Sequence, residues 1–197
     1  MKLREHLSKG IWTAADKGLL LLNGFAIILI VVRVLPDTEW GAYSIFQSIF
    51  LLICFIADSI FLQPMVKFAS EHKAEVHEVL GASFNLYIAS IALGALLCFG
   101  TMHLLADFLN SPEMLTLIPW LWVWLGVSIF RNVGIRYLQI YYRIGAIFWV
   151  DLAFFGSIIT MSIVGANTGY LNSSLDFVKI NIIGSALSSI VAFVFAR

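Results

Sequence analysis

The feature that most constrains this chain is a pair of apolar runs, residues 11–32 and 40–63, parted only by Arg33-Val34-Leu35-Pro36-Asp37-Thr38-Glu39. Each run is about as long as the ~20 residues a helix needs to cross a bilayer. Pro36 fixes the backbone of the bend, and Asp37 and Glu39 hold it in water, so the runs read as two antiparallel membrane helices. Four more apolar stretches follow, at residues 81–102, 115–135, 144–165 and 177–195, each set off by polar, Pro or Gly punctuation. The expected fold is an all-α polytopic membrane protein. Its six transmembrane helices form one bundle over residues 1–197, with connections too short for a soluble domain.

Composition agrees. Hydrophobic residues make up 60% of the 197 and charged residues 12%, with a mean hydropathy of +0.93. Soluble domains carry roughly 25% charged residues. The formal net charge of +0 gives no basis for a nucleic-acid partner. Lys2, Arg4 and Lys9 ahead of the first run resemble the start of a signal peptide, but the run exceeds the ~7–15 residues of a signal core, so it reads as a retained helix. Cys54 and Cys98 fall toward the ends of helices running in opposite directions, which puts them at different depths and argues against a disulfide.

Basic residues set the expected orientation, because cytoplasmic loops are enriched in Lys and Arg. With the N-terminus inside, Lys2, Arg4, Lys9, Lys67, Lys73, Arg136, Arg143 and Arg197 are cytoplasmic, and only Arg33 and Lys179 lie outside. Both termini are then cytoplasmic. Residues 66–80 alternate apolar Val66, Ala69, Val76, Val79 and Leu80 with charged Lys67, Glu71, Lys73, Glu75 and Glu78 at helical spacing, which predicts an amphipathic helix on the cytoplasmic surface. His72, Glu75 and His77 fit a solvated face better than a metal site.

Trp120, Trp122 and Trp124 in the fourth run, and Tyr137, Tyr141 and Tyr142 near its end, match interfacial aromatic belts; Trp120 and Trp124 also have the spacing to stack on a sugar ring. Gly184, Ser188 and Ala192, like Ser90 and Gly94, have the spacing of small residues that lets helices pack closely, the former set within the bundle or against a further partner. No metalloprotease helix motif, phosphate-binding glycine loop, serine nucleophile elbow or metal-spaced Cys pair occurs, so neither an enzyme nor a cofactor is expected.

Ionisable residues inside the spans carry most of the functional information: Asp16 and Lys17, Asp58, Arg131, and Asp151. A charge at the bilayer centre costs at least ~2.5–3.5 kcal/mol, so such groups face the bundle interior or water and find partners. On the N-inside topology all five lie about 9 Å from the inner ends of their helices, which predicts one polar chamber open to the cytoplasm. Thr13, Asp16, Leu20 and Asn23 share a face of the first helix, and Tyr43, Gln47, Cys54 and Asp58 share a face of the second, so both stripes can line it. Two readings stand side by side. The charges either pair to fix helix packing or serve transport, with Lys17, Arg131, Asn23 and Gln47 on the substrate and Asp16, Asp58 and Asp151 in ion coupling or gating.

The pattern Arg33-x-Leu35-Pro36-x-x-x-Trp40-Gly41-x-Tyr43, followed by Ala57-Asp58, resembles the start of oligosaccharide flippases. These form the polysaccharide-exporting branch of the superfamily that also holds the multidrug and toxic-compound extruders. Beyond Pro64 only the helix spacing is similar. The resemblance implies two six-helix lobes, with a polyprenyl-pyrophosphate-linked oligosaccharide passing between them by alternating access across the cytoplasmic (inner) membrane, in surface polysaccharide biosynthesis. Arg33, Pro36, Gly41 and Asp58 occupy family-pattern positions of structural character. The chain then corresponds to the N-terminal lobe, as a fragment, a truncated product or a half-size homologue, and its partners are membrane lipid, the lipid-linked sugar and a second six-helix lobe. Alternatives are a cation-coupled multidrug exporter of the same superfamily and a non-transporting membrane scaffold.

Overall fold

The computed structural model describes residues 2–71, 76–108 and 111–197. Six of its helices are long and apolar enough to cross a membrane: α1 (Gly10–Val34), α2 (Asp37–Glu71), α3 (Val76–Thr101), α4 (Glu113–Ile140), α5 (Ile144–Thr168) and α6 (Ser174–Ala196). No strand occurs among the described residues. The all-α six-helix bundle expected from the apolar runs is the fold.

Helix ends follow local chemistry rather than the ends of apolar runs. Pro36 forces Leu35 into extended backbone (φ −77, ψ 138), which stops α1. Asp37 and Glu39 then occupy the first turn of α2, where acidic side chains meet the positive end of the helix dipole. The Glu39 carboxylate does not simply sit in water. It accepts the backbone N–H of Ser174 at 2.8 Å and so ties the first bend to the start of α6, where Ser173 accepts the N–H of Asp176 at 3.3 Å. At the far end of α5, Gly169 takes a left-handed conformation (φ 71), which only glycine adopts without strain.

Two expectations about extent need correction. The second run does not end at residue 63: α2 continues through a π-helical turn, Asp58–Leu62, and past Pro64 to Glu71. Proline has no N–H to donate, and the wider turn just before it, in which Gln63 N–H bonds the Asp58 carbonyl, lets the helix carry on. Val66 to Glu71 therefore prolongs α2, and Val76 to Leu80 opens α3, with Ala69 and Val76 buried and Lys67, Glu71 and Glu78 exposed. His72, Lys73 and Glu75 lie outside the described residues. The fourth helix likewise runs beyond residue 135 to Ile140, which puts Arg136 inside the helix rather than in a loop.

Within a mainly aliphatic core, an aromatic cluster lies between α2, α4 and α6. Trp124 stacks on Phe50 with ring centroids 3.9 Å apart and donates its indole N–H to Ser185 at 3.2 Å, while Tyr43 packs on Phe177 at 4.6 Å. Trp124 is thus a core residue with no face left for a sugar; Trp120 sits under the Lys179 ammonium, 5.6 Å from its ring. The α6 stretch is the most buried, 44% of it, and the α1 stretch the least, 11%. Accordingly α1 packs mainly along α5, and its neighbour in sequence, α2, packs on α3 and α4 instead.

Small residues make these approaches possible. The α6 stripe faces inward rather than toward an outside partner: a Cβ on Gly184 would lie 3.0 Å from Ser157 Oγ and 3.1 Å from Ile158 Cγ1 in α5. A Cβ on Gly134 in α4 would lie 2.7 Å from the Ala192 methyl, and one on Gly94 in α3 would lie 2.9 Å from Ile53 in α2. Cys54 and Cys98 are both free thiols. Gly134→Ala should lower the thermal unfolding midpoint in detergent, with a cost of about 1–3 kcal/mol from overpacking. Adding Ala192→Gly should recover most of the loss; no recovery would mean that this crossing does not limit α4–α6 packing.

Candidate functional site

Both described chain ends lie at one end of the bundle. Trp12 near the start of α1 packs on Phe148 at 5.1 Å, and Arg143 before α5 donates to the Phe195 carbonyl at the close of α6 at 2.5 Å. The intramembrane charges collect toward this end. A cavity of about 450 Å³ opens between α1, α2 and α4, lined by Lys17 from α1, Cys54 and Asp58 from α2, and Arg131, Asn132, Arg136 and Gln139 from α4. A second chamber of about 370 Å³ adjoins it and shares Lys17 and Gln139; Thr13, Asp16, Tyr142, Ile144 and Ile147 complete its wall.

The α4 groups reach the first cavity because Asn132, Arg136 and Gln139 recur at i, i+4 and i+7 on one helical face. Arg136 grips Asp58 in a two-pronged pair, Nε to Oδ1 at 3.0 Å and Nη2 to Oδ2, and its Nη1 donates to Gln139 Oε1 at 2.8 Å. Asn132 donates to the Tyr87 hydroxyl at 3.0 Å and so anchors α3 to the same face. Asp58 opens the π-helical turn of α2, and such turns mark functional sites often.

Arg131 is held from the opposite side. It pairs with Asp151 of α5, and its guanidinium lies 4.3 Å over the Phe154 ring. Asp151 also lies within electrostatic reach of Asp16, so the two carboxylates and Arg131 form one cluster across α1, α4 and α5. One oxygen of Asp16, Oδ1, is buried and has no hydrogen-bond partner among the described residues. Lys17 is exposed and makes no ion pair among the described residues, which leaves it as the cavity's open cation.

The five charges singled out from sequence thus converge, though not in a single chamber. Lys17, Asp58 and Arg131 line the first cavity, Asp16 lines the second, and Asp151 sits behind Arg131 as its counter-ion. Asn23 and Gln47 do not join them. Asn23 is buried, 8% exposed, on an α1 that leans on α5, and Gln47 is half-buried further along α2; neither borders the cavity. A stripe on a helix tells which residues share a face, not which neighbour the face meets. Arg136 and Gln139 are the site residues that the sequence reading left in a loop. Their i, i+4, i+7 relation to Asn132 is the signal that identifies them.

Backbone strain sits at the edge of the same site. Tyr142 holds φ 55 at the end of α4, where Arg143 N–H bonds the Leu138 carbonyl and Tyr142 N–H bonds the Gln139 carbonyl, both at 3.0 Å. This is the closing turn that usually carries glycine. No protein-family model matches the chain, and no curated protein or solved structure matches it either.

Two measurements check the site's energetics. Asp58→Asn or Arg136→Gln alone should lower stability in detergent by about 1–3 kcal/mol, because each strands a half-buried charge, and the double variant should lose less than the sum of the two. Additive losses would mean that the pair contributes no coupling. Tyr142→Gly should stabilise the chain by up to about 1 kcal/mol through relief of the left-handed backbone.

Proposed function

We propose that this multi-pass membrane protein is one lobe of a flippase that carries a polyprenyl-pyrophosphate-linked oligosaccharide across the cytoplasmic membrane for surface polysaccharide synthesis. The observation that supports the reading most is the cationic cavity itself: three basic side chains and one acidic one border a space within the size range of small-molecule sites. Two of the three cations are already neutralised by carboxylates, and Lys17 is the one available to a phosphate. The end that carries the termini is taken as cytoplasmic by the excess of Lys and Arg there.

The ion pairs suit a transporter that changes state. Arg136–Asp58 joins α4 to α2, and Arg131–Asp151 joins α4 to α5, so a pyrophosphate that competes for either guanidinium loosens a helix contact as it binds. Asp58, Asp151 and Asp16 then act as the groups that take a coupling cation or re-form the pairs after release. A second six-helix lobe supplies the opposite wall of the pathway.

The test is binding of geranyl pyrophosphate to the purified chain, read by native mass spectrometry. Lys17→Gln should weaken binding at least about tenfold, as expected for loss of a charge-assisted contact with phosphate. Equal binding by wild type and variant would remove the basis of the proposal. Binding of tetraphenylphosphonium in its place, abolished by Asp16→Asn, would favour the multidrug exporter.

A further inference from the structure

A trough on the outside of the bundle lies apart from the charged cavities. Where α4 and α6 cross at Gly134 and Ala192, neither helix carries a side chain larger than a methyl group, and Phe84 of α3, Phe130 and Tyr137 of α4 and Phe193 of α6 border the space of about 440 Å³ that results. Phe130 and Phe193 are 64% and 61% exposed, so the trough opens away from the protein rather than into its core. Its lining is almost wholly apolar. The Ser189 hydroxyl is committed to the Ser185 carbonyl of its own helix at 2.7 Å, which leaves the Tyr137 hydroxyl as the other polar side-chain group. A peptide or a sugar would bury hydrogen-bonding groups here without partners, whereas a hydrocarbon chain has none to satisfy.

Length and charge narrow the occupant further. The trough takes in only the second half of each helix, from Phe130 in α4 and from Ser189 in α6. Phe130 and Tyr137 are seven residues apart, about 10 Å at the helical rise, which fits within one leaflet, half of a hydrocarbon layer ~30 Å thick. A partner helix would run the whole thickness; a lipid chain stops at the midplane. Cations stand at the end nearest the termini. The Arg197 guanidinium lies 4.8 Å over the Phe193 ring, and Arg143, which donates to the Phe195 carbonyl at 2.5 Å, is within electrostatic reach of Tyr137. Both arginines are exposed, and neither makes an ion pair among the described residues.

We infer that the trough binds one acyl chain of an anionic phospholipid from the leaflet on the side of the termini, with the lipid phosphate at Arg143 and Arg197. The inference does not depend on the flippase reading. A chain in the trough lies along the exposed rings of Phe130 and Phe193 and covers the α4–α6 crossing, while the head group meets the two cations at the depth where head groups lie. A zwitterionic lipid supplies the same chain and phosphate, but its own ammonium opposes the arginines. The site therefore selects for net negative charge on the head group rather than for the chain.

The experiment is native mass spectrometry of the purified chain with phosphatidylglycerol and phosphatidylcholine of identical acyl chains. Phosphatidylglycerol should bind about tenfold more tightly, and the double variant Arg143→Gln with Arg197→Gln should abolish that preference. Ala196→Phe, which fills the trough beside the cations from the last turn of α6, should weaken binding of both lipids. An unfolding midpoint in detergent equal to that of wild type shows that each variant is folded, and Arg197→Gln alone carries the charge test if Arg143→Gln does not fold. Equal binding of the two lipids to wild type, a preference that survives loss of both arginines, or binding indifferent to Ala196→Phe each overturns the inference. A lipid-free dimer that Ala196→Phe dissociates would also overturn it, since the trough would then belong to a second copy of the chain.

Discussion

Hydrocarbon offers nothing to solvate a charge, and the rest of this structure is arranged around that fact. Asp58, Arg131, Arg136 and Asp151 sit inside helices that are otherwise apolar, so each must meet an opposite charge or water. Pairing Arg136 with Asp58 fixes α4 against α2, and pairing Arg131 with Asp151 fixes it against α5. Lys17 makes no such pair among the described residues and borders the cavity between α1, α2 and α4.

Packing at the other end is of a different kind. There the aromatic core of Phe50, Trp124, Tyr43 and Phe177 holds α2, α4 and α6 together, and the close contact at Gly184, midway along α6, holds α6 to α5. The Glu39 cap on α6 adds a polar tie between segments 135 residues apart. The half that carries the termini combines the ion pairs and two adjoining chambers with a smaller apolar cluster of Leu138, Val150 and Ala192 and the close Gly134–Ala192 crossing.

Much of the fold was legible because membrane helices announce themselves by run length: all six spans follow from counting apolar residues. Their ends were less legible. Pro64 looks like a helix terminator and Arg136 like the end of an apolar run, yet a π-helical turn carries α2 past the first, and the second lies inside α4, paired with Asp58. The site was half legible for the same reason. Intramembrane charge identified Lys17, Asp58, Arg131, Asp16 and Asp151, since charge in an apolar run must be explained. Asn23 and Gln47 were placed by facial periodicity alone, and periodicity is silent about which helix lies opposite; α1 leans on α5, and the expected common wall of Asn23 and Gln47 does not form.

The charged end of the bundle holds a cavity bordered by Lys17, Asp58, Arg131 and Arg136. Cys54 lines that cavity and is a natural probe of it. The most direct measurement is labelling of Cys54 by a charged, membrane-impermeant maleimide in oriented vesicles, with Cys98→Ser removing the second thiol. A cavity open to water on the face that bears the termini gives modification from that face, and slower modification when geranyl pyrophosphate is present. A Cys54 that is inert from both faces until the protein is unfolded would contradict it, and the paired charges would then be purely structural.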